Sequence, residues 1–137
     1  MELGIAFVPY APLGRGVLTG AATTTAELDA TDERQIHPRF APENARHNAA
    51  LLAPVRRLAE AHGVTPAQVA LAWLSARSRL HGLTVVPVPG TKRRSRLREN
   101  IAAIDIDLTD GELSTLEGIS GQARATGCRN SHRNSGP

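Results

Sequence analysis

Aromatic residues, cysteine and lysine are all scarce in this sequence of 137 residues. Aromatic residues make up 3% of it, with one Trp, one Tyr and two Phe. Proteins that bind single-stranded nucleic acids stack the bases on aromatic rings, so this scarcity argues against that class. It also predicts a core built on Leu, Val, Ile and Ala. The only cysteine, Cys128, excludes an intramolecular disulfide and a metal site made of several cysteines.

Long apolar runs are missing too. The N-terminal residues lack the basic segment of a secretory signal, and no run approaches the roughly 20 apolar residues that span a bilayer. We therefore expect no membrane partner and a cytoplasmic location. The net charge of +3 is too small to indicate nucleic-acid binding by itself.

Two apolar runs, residues 4–9 and 83–88, are typical of short strands buried on both faces of a parallel sheet. The 3.6-residue apolar period predicts about four helices, starting near Ala49, Pro66, Arg93 and Thr109. This order of elements predicts an α/β fold with two parallel strands, whose outer edges would be exposed. Residues 1–119 are expected to form the folded part.

Two of these helix starts carry capping boxes, Thr65 with Gln68 and Thr109 with Glu112. Two other segments lack an apolar period. Residues 19–48 are predicted to form a long loop, a feature more typical of a functional lid or a disordered segment than of a simple connection. Residues 120–137 are predicted to be a disordered tail.

Each predicted strand ends in a corner at which a ligand could bind, because ligands of α/β folds collect at the carboxyl ends of strands. In the first corner, residues 9–16, Tyr10 could stack on a flat heterocycle or simply pack. In the second, residues 89–93, Gly90 permits close approach of a ligand to the backbone. The helix that follows offers free N–H groups to an anion.

Five of the seven residues from 92 to 98 are basic. Three interpretations of this cluster stay open on its residues alone: a phosphate site, a nucleic-acid patch, and a solvated arginine-rich face. Lys92, Arg93 and Arg96 could bind a phosphate through charge-assisted hydrogen bonds. The corner matches neither the GxGxxG turn nor the GxxxxGK[ST] loop, so it indicates neither a Rossmann fold nor a P-loop.

Taken together, five blocks resemble the aldo-keto reductase family in order and approximate spacing. They are GIAFVPYAPLGRGVLTG, PRF followed by EN, GVTPAQVALAWL, TVVPVPGTKRRSRLREN and LTDGEL, and they cover roughly residues 2–118. The resemblance implies part of a (β/α)₈ TIM barrel, namely a C-terminal fragment with barrel strands seven and eight. It also implies an oxidoreductase that uses NADP(H) to reduce aldehydes and ketones.

The resemblance assigns cofactor contacts to both corners. Tyr10 matches the ring that stacks on the nicotinamide, and Ala11, Leu13 and Arg15 match positions along the pyrophosphate. The second corner matches the segment that contacts the adenosine: the 2′-phosphate is met by Gly90, Thr91, Lys92 and Arg96, and the adenine by Glu99 and Asn100. A 2′-phosphate accounts for the concentrated positive charge, which plain NAD would not require.

The family's catalytic Asp, Tyr, Lys and His lie on earlier strands that this sequence does not contain, so no catalytic residue is predicted here. Nor is a metal site, because no histidine pair has ligand spacing. We expect the C-terminal cofactor-binding part of a reductase, inactive alone. The alternatives are a non-catalytic dinucleotide-binding module or one half of a split enzyme with a separately encoded N-terminal half. A nucleic-acid binder is disfavoured, because no recognition motif appears.

Overall fold

The computed structural model of the chain describes residues 4–20 and 24–122. Five α-helices lie within these ranges: α1 (Pro42–Leu51), α2 (Ala53–His62), α3 (Pro66–His81), α4 (Arg94–Ala102) and α5 (Asp110–Gln122). Short 3₁₀ turns precede α1 and join α4 to α5. Among the described residues, none of the helices has both the length and the apolar character that crossing a membrane requires.

The helix starts follow the local sequence closely. Thr65 accepts a hydrogen bond from the Gln68 backbone N–H, and the Gln68 side chain accepts one from the Thr65 backbone N–H. Thr109 and Glu112 make the same reciprocal pair before α5. Both predicted capping boxes are thus confirmed, and they fix where α3 and α5 begin.

The helix predicted to start near Ala49 corresponds to two helices, α1 and α2. The break falls at Leu52, and Pro54 sits in the first turn of α2, where its missing N–H breaks no helical hydrogen bond. Helix α1 already begins at Pro42, within the predicted loop. Its polar sequence, PENARHNAAL, lacks the apolar stripe that reveals a helix.

The core lies between α2, α3 and α5 and consists of small and medium aliphatic side chains. It is formed by Leu52, Val55, Ala59, Val69, Ala72, Ala76, Leu108, Leu113 and Leu116. Trp73 packs against its edge. The prediction of an aliphatic core holds here, while one aromatic ring, Phe40, is fully buried outside this cluster.

The predicted fold class, α/β with two parallel strands of a partial (β/α)₈ barrel, is wrong for the described residues, which contain no strand. The two apolar runs meet only in isolated parallel bridges, Phe7 with Val85 and Tyr10 with Val88. Three backbone hydrogen bonds join them, from the N–H of Phe7 to the Thr84 carbonyl (2.8 Å), of Val86 to Phe7 (2.9 Å) and of Val88 to Pro9 (3.4 Å).

Two physical reasons explain why no strand forms. Prolines at positions 9, 87 and 89 have no N–H to donate, so a ladder cannot continue past them. Parallel strands are also normally covered on both faces, whereas Phe7, Val86 and Val88 are exposed. The two apolar runs therefore have the composition of strands, but they lack the backbone pairing and the covering layers that a parallel strand requires.

The remaining predictions concern the loop and the tail. Residues 24–41 of the predicted loop contain three 3₁₀ turns, Thr25–Glu27, Glu33–Ile36 and Pro38–Phe40, joined by irregular residues. Helix α5 continues to Gln122, and the rest of the predicted tail, residues 123–137 with Cys128, lies outside the described residues. The helical core holds both corners, because α3 packs against α4 and against the 3₁₀ turn Gly14–Thr19.

Candidate functional site

The two predicted corners lie side by side, because Tyr10 in the first corner is bridged to Val88, the residue just before the second corner. They open on a shared cleft of about 950 Å³. Nine of the ten residues predicted to bind a cofactor line it: Tyr10, Ala11, Leu13, Arg15, Gly90, Thr91, Arg96, Glu99 and Asn100. The tenth, Lys92, is exposed next to the cleft and is not part of its wall.

The first corner has an unusual backbone. Ala11 (φ 49°) and Arg15 (φ 57°) lie in the left-handed region, which costs free energy for residues with a Cβ. The turn is closed by hydrogen bonds from the N–H of Gly14 to the Ala11 carbonyl (2.9 Å) and of Gly16 to the Leu13 carbonyl (3.0 Å). Strained, well-fixed backbone of this kind is concentrated at ligand sites.

Tyr10 presents an exposed ring at the mouth of the cleft, with 79% of the residue accessible. The Arg15 guanidinium lies beside it: its Nη2 donates to the Tyr10 hydroxyl at 3.5 Å, and its Cζ is 6.0 Å from the ring centroid. An accessible aromatic ring next to a cation suits a flat, anionic ligand.

The second corner leads into the N-terminus of α4. Thr91 Oγ1 accepts a hydrogen bond from the Arg93 N–H at 3.2 Å, and Asn100 Nδ2 donates to the Pro89 carbonyl at 3.5 Å. No acidic residue lies in the first turn of α4, whereas Arg94 and Arg96 do. Arg96 lines the cleft, and together with the free N–H groups of the turn it places positive charge on this wall.

Glu99 is held by a residue outside both corners. Thr65 Oγ1 donates to Glu99 Oε1 at 2.6 Å, so the N-cap of α3 also fixes a side chain on the cleft wall. Thr65 itself lines the cleft.

The two corners form two walls of the cleft. Residues 27–34, in the segment predicted to be a loop, form a third wall. Glu27, Asp29 and Asp32 line the cleft here. Hydrogen bonds from Arg34, at 2.6–3.2 Å, lower the pKa of the Asp32 carboxyl to about 2. Hydrogen bonds from Thr31 lower the pKa of Asp29 as well. Both carboxylates therefore stay ionised at neutral pH.

Arg34 ties this wall to the first corner. It donates through Nη1 to the Arg15 carbonyl at 3.2 Å, and its guanidinium lies 5.7 Å from the centroid of the buried Phe40 ring. A Cβ on Gly16 would lie only 3.1 Å from Arg34 Nη1, so the absence of a side chain at Gly16 leaves room for this contact.

The sequence reasoning missed Thr65, Asp32 and Arg34 as parts of the site. The sequence indicates Thr65 as an N-cap, but nothing near it in the sequence indicates its second hydrogen bond, to Glu99. The local signal for the other two was available: Asp32 accepts from the backbone N–H of Arg34, two residues on, as in an Asx turn. Residues 4–20 and 24–122 bring together no group of three or more His, Cys, Asp or Glu that could hold a metal ion.

Comparison with known proteins identifies relatives for most of the chain. The sequence profile of the Aldo/keto reductase family matches residues 1–120. The chain is 35% identical over 129 residues to Aldo-keto reductase str7 of Strobilurus tenacellus, covering 94% of this chain and 37% of that protein. It is 38% identical over 128 residues to Aldo-keto reductase yakc (NADP(+)) of Schizosaccharomyces pombe, covering 93% of this chain and 36% of that protein. The chain thus spans little more than a third of the length of these relatives.

Proposed function

Because this chain belongs to the Aldo/keto reductase family, we propose that it binds a nicotinamide dinucleotide, NADP(H), in the cleft between its two corners. The observation that carries the proposal is the composition of the cleft wall. Residues from both corners, separated by more than 70 positions in sequence, line one space. A relative that carries NADP(+) in its name supports the same cofactor.

The volume and the side chains of the cleft fit such a ligand. A volume of about 950 Å³ is near the upper end of the usual range of ligand clefts, as a dinucleotide requires. The cleft offers one exposed aromatic ring for a heterocycle and guanidinium groups for phosphates. Two of the carboxylates on its wall already have partners, since Asp32 is paired with Arg34 and Glu99 accepts from Thr65.

Each corner would hold one end of the cofactor. We assign Tyr10 to the nicotinamide ring and Ala11, Leu13 and Arg15 to the pyrophosphate. The 2′-phosphate would lie at the start of α4, against Gly90, Thr91 and Arg96, with Lys92 at the rim. Glu99 and Asn100 would hold the adenine.

In a reductase the bound cofactor supplies the hydride that reduces a carbonyl carbon. The residues of this chain bind and orient it. We expect residues 1–137 alone to show no turnover of a simple aldehyde with NADPH, because the acid that protonates the carbonyl oxygen in this family is not among them. A rate above the uncatalysed background would refute this expectation. A cytoplasmic location stays a prediction from the sequence.

Titration of the purified chain with NADPH, followed by cofactor fluorescence, tests the proposal. We expect micromolar binding, and Arg96→Gln should weaken it by about tenfold, the loss of one charge-assisted phosphate contact. NADH, without the 2′-phosphate, should bind weakly to both forms. Arg98→Gln is the matched control, because Arg98 lies on the same helix and is not part of the cleft wall.

Two outcomes would contradict the proposal. Absence of binding by the wild-type chain would reject it outright. Equal losses for Arg96→Gln and Arg98→Gln would show that the basic helix start acts only through its total charge. In that case the salt dependence of binding to duplex and single-stranded DNA would test the nucleic-acid interpretation.

Exposed apolar side chains favour a second element of the proposal, a protein partner. Ile5 (68% exposed) and Phe7 (53%) lie on the first bridged segment, and Leu97, Ile101 (62%) and Ile104 lie on or just after α4. Leu97 and Ile101 are four positions apart on α4 and so share one face of that helix, and an exposed apolar patch marks an interaction site. We propose that a separately encoded N-terminal half of a reductase covers it.

The probe for this partner is the part of the Schizosaccharomyces pombe relative that precedes its matched region. We expect it to form a 1:1 complex with the chain in analytical ultracentrifugation. Ile101→Asp should abolish the complex, while Arg98→Gln should not. If the chain stays monodisperse and does not bind the probe, this proposed partner is refuted.

A further inference from the structure

His37 lies between two 3₁₀ turns, Glu33–Ile36 and Pro38–Phe40, and its backbone is fixed on both sides. Its N–H donates to the Arg34 carbonyl at 3.1 Å, and its carbonyl accepts from the Phe40 N–H at 3.0 Å. Phe40 is fully buried and anchors this segment. The imidazole of His37 therefore projects from a well-defined position.

The imidazole contacts the Arg15 guanidinium across 22 positions of the sequence: His37 Nε2 forms a hydrogen bond with Arg15 Nη1. A guanidinium group has N–H donors only, so the imidazole nitrogen must be the acceptor. This requires a neutral His37 whose proton is on Nδ1.

Arg15 is thereby held at three points. Its Nη1 donates to His37, its Nη2 donates to the Tyr10 hydroxyl at 3.5 Å, and its carbonyl accepts from Arg34 at 3.2 Å. A long, flexible arginine side chain loses much rotamer entropy when it is fixed. In this cleft that loss precedes ligand binding, since the guanidinium is already oriented beside Tyr10.

We propose that His37 is a positioning residue of the cofactor site, which acts by orienting Arg15 toward the pyrophosphate. His37 itself is not part of the cleft wall, so it acts through Arg15 alone. The proposal rests on the proposed function for the identity of the ligand. The His37–Arg15–Tyr10 arrangement is tested separately from it.

Two substitutions separate the hydrogen bond from the mere shape of the ring. His37→Phe keeps an aromatic ring and removes the acceptor, whereas His37→Gln restores a neutral acceptor in its side-chain carbonyl. We expect His37→Phe to weaken NADPH binding by about tenfold, the value of one oriented charge-assisted contact. His37→Gln should stay within about threefold of wild type by the same measure. His47→Phe, at an exposed site on α1, is the control and should change nothing.

Tyr10 supplies a readout that does not need the cofactor, because it is the only tyrosine in the chain. Its ring NMR signals should move in His37→Phe and return toward wild-type positions in His37→Gln. In the wild-type chain, the long-range ¹H–¹⁵N spectrum of His37 should show the tautomer protonated on Nδ1, a measurement that needs no variant.

The outcomes distinguish the two proposals. If the wild-type chain does not bind NADPH, the proposed function fails, while the tyrosine and histidine spectra still decide whether His37 holds Arg15. Unchanged Tyr10 signals in His37→Phe, or a His37 protonated on Nε2, would overturn the positioning role. Equal losses of NADPH affinity in His37→Phe and His37→Gln would overturn it as well.

Discussion

Replacement of Thr65 by alanine tests whether the residue that begins α3 also holds the second corner of the cleft. The Thr65 hydroxyl accepts a hydrogen bond from the Gln68 N–H at 3.3 Å and donates one to Glu99 at 2.6 Å. Alanine removes both. It keeps the hydrogen bond from the Thr65 backbone N–H to the Gln68 side chain (3.0 Å), so the helix start is weakened rather than abolished.

The expected loss of unfolding free energy follows from these two contacts. An N-cap hydroxyl contributes about 1 kcal/mol. A hydrogen bond to a carboxylate contributes about 1.5–3 kcal/mol when it is well buried, and we take about 1 kcal/mol because Thr65 and Glu99 are only half-buried. Thr65→Ala should therefore destabilise the chain by about 2 kcal/mol in total. Thr65→Ser keeps the hydroxyl and should stay within about 0.5 kcal/mol of wild type.

Urea unfolding of the full chain, followed by Trp73 fluorescence and far-UV circular dichroism, measures these differences. A double-mutant cycle with Glu99→Ala isolates the bond between the two side chains, and we expect a coupling of about 1 kcal/mol. Additive effects, within about 0.3 kcal/mol, would show that the contact contributes no free energy. An equal loss of unfolding free energy in Thr65→Ser and Thr65→Ala would refute the role of the hydroxyl.

Two further predictions concern the third wall of the cleft, residues 27–34, and its contact with the first corner. The carboxyl pKa of Asp32 is about 2 in the folded chain, below its usual value of about 3.9. The pairing with Arg34 therefore contributes fully to the stability of the folded chain above about pH 5, and this contribution is lost as the pH falls through 4 toward 2. Carbon NMR of the Asp32 carboxyl should therefore show a midpoint near 2, and a midpoint near 4 would refute the pairing with Arg34. Gly16→Ala should speed tryptic cleavage after Arg34, because φ at Gly16 is 99° and the new Cβ would lie 3.1 Å from Arg34 Nη1. Gly20→Ala, at φ 70° with no atom within 4 Å, should have the smaller effect, and the opposite order would contradict the proposed contact.

The sequence predicted best those features that depend on a few adjacent residues. The capping boxes at Thr65 and Thr109 involve side chains and N–H groups three positions apart, so the local sequence is sufficient to specify them. Strands are different, because a strand exists only through its neighbours in a sheet. The run of residues 83–88 is apolar enough for one, but Pro87 and the exposed faces of Val86 and Val88 leave it with isolated bridges.

For the cleft, the resemblance to a family predicted residues that composition and periodicity alone left ambiguous. Tyr10 could have been a packing residue, and the basic cluster after Thr91 could have been a solvated face. Tyr10 and Arg96 line the same cleft, which favours a ligand-binding role for these two residues, whereas Lys92, Arg93, Arg94 and Arg98 are not part of its lining. The third wall, residues 27–34, escaped prediction as part of the site, because the contact that ties it to the first corner, from Arg34 to the Arg15 carbonyl, joins residues 19 positions apart.

The structure also changes which part of the molecule is expected to support the cleft. Among the described residues, three backbone hydrogen bonds join the two bridged segments, whereas α3 packs against the 3₁₀ turn Gly14–Thr19 and against α4 and contributes Thr65 to the cleft wall. The geometry of the cleft is therefore linked to the packing of the helical core. A ligand that contacts Arg15 and Arg96 together would connect the two corners that α3 already supports. At 100 times its dissociation constant, such a ligand would stabilise the folded chain by about 2.7 kcal/mol, a gain comparable to the loss expected from Thr65→Ala. Urea unfolding with saturating NADPH should thus recover most of the loss in Thr65→Ala, and a smaller gain than in the wild-type chain would show that Thr65 also supports the ligand contact of Glu99.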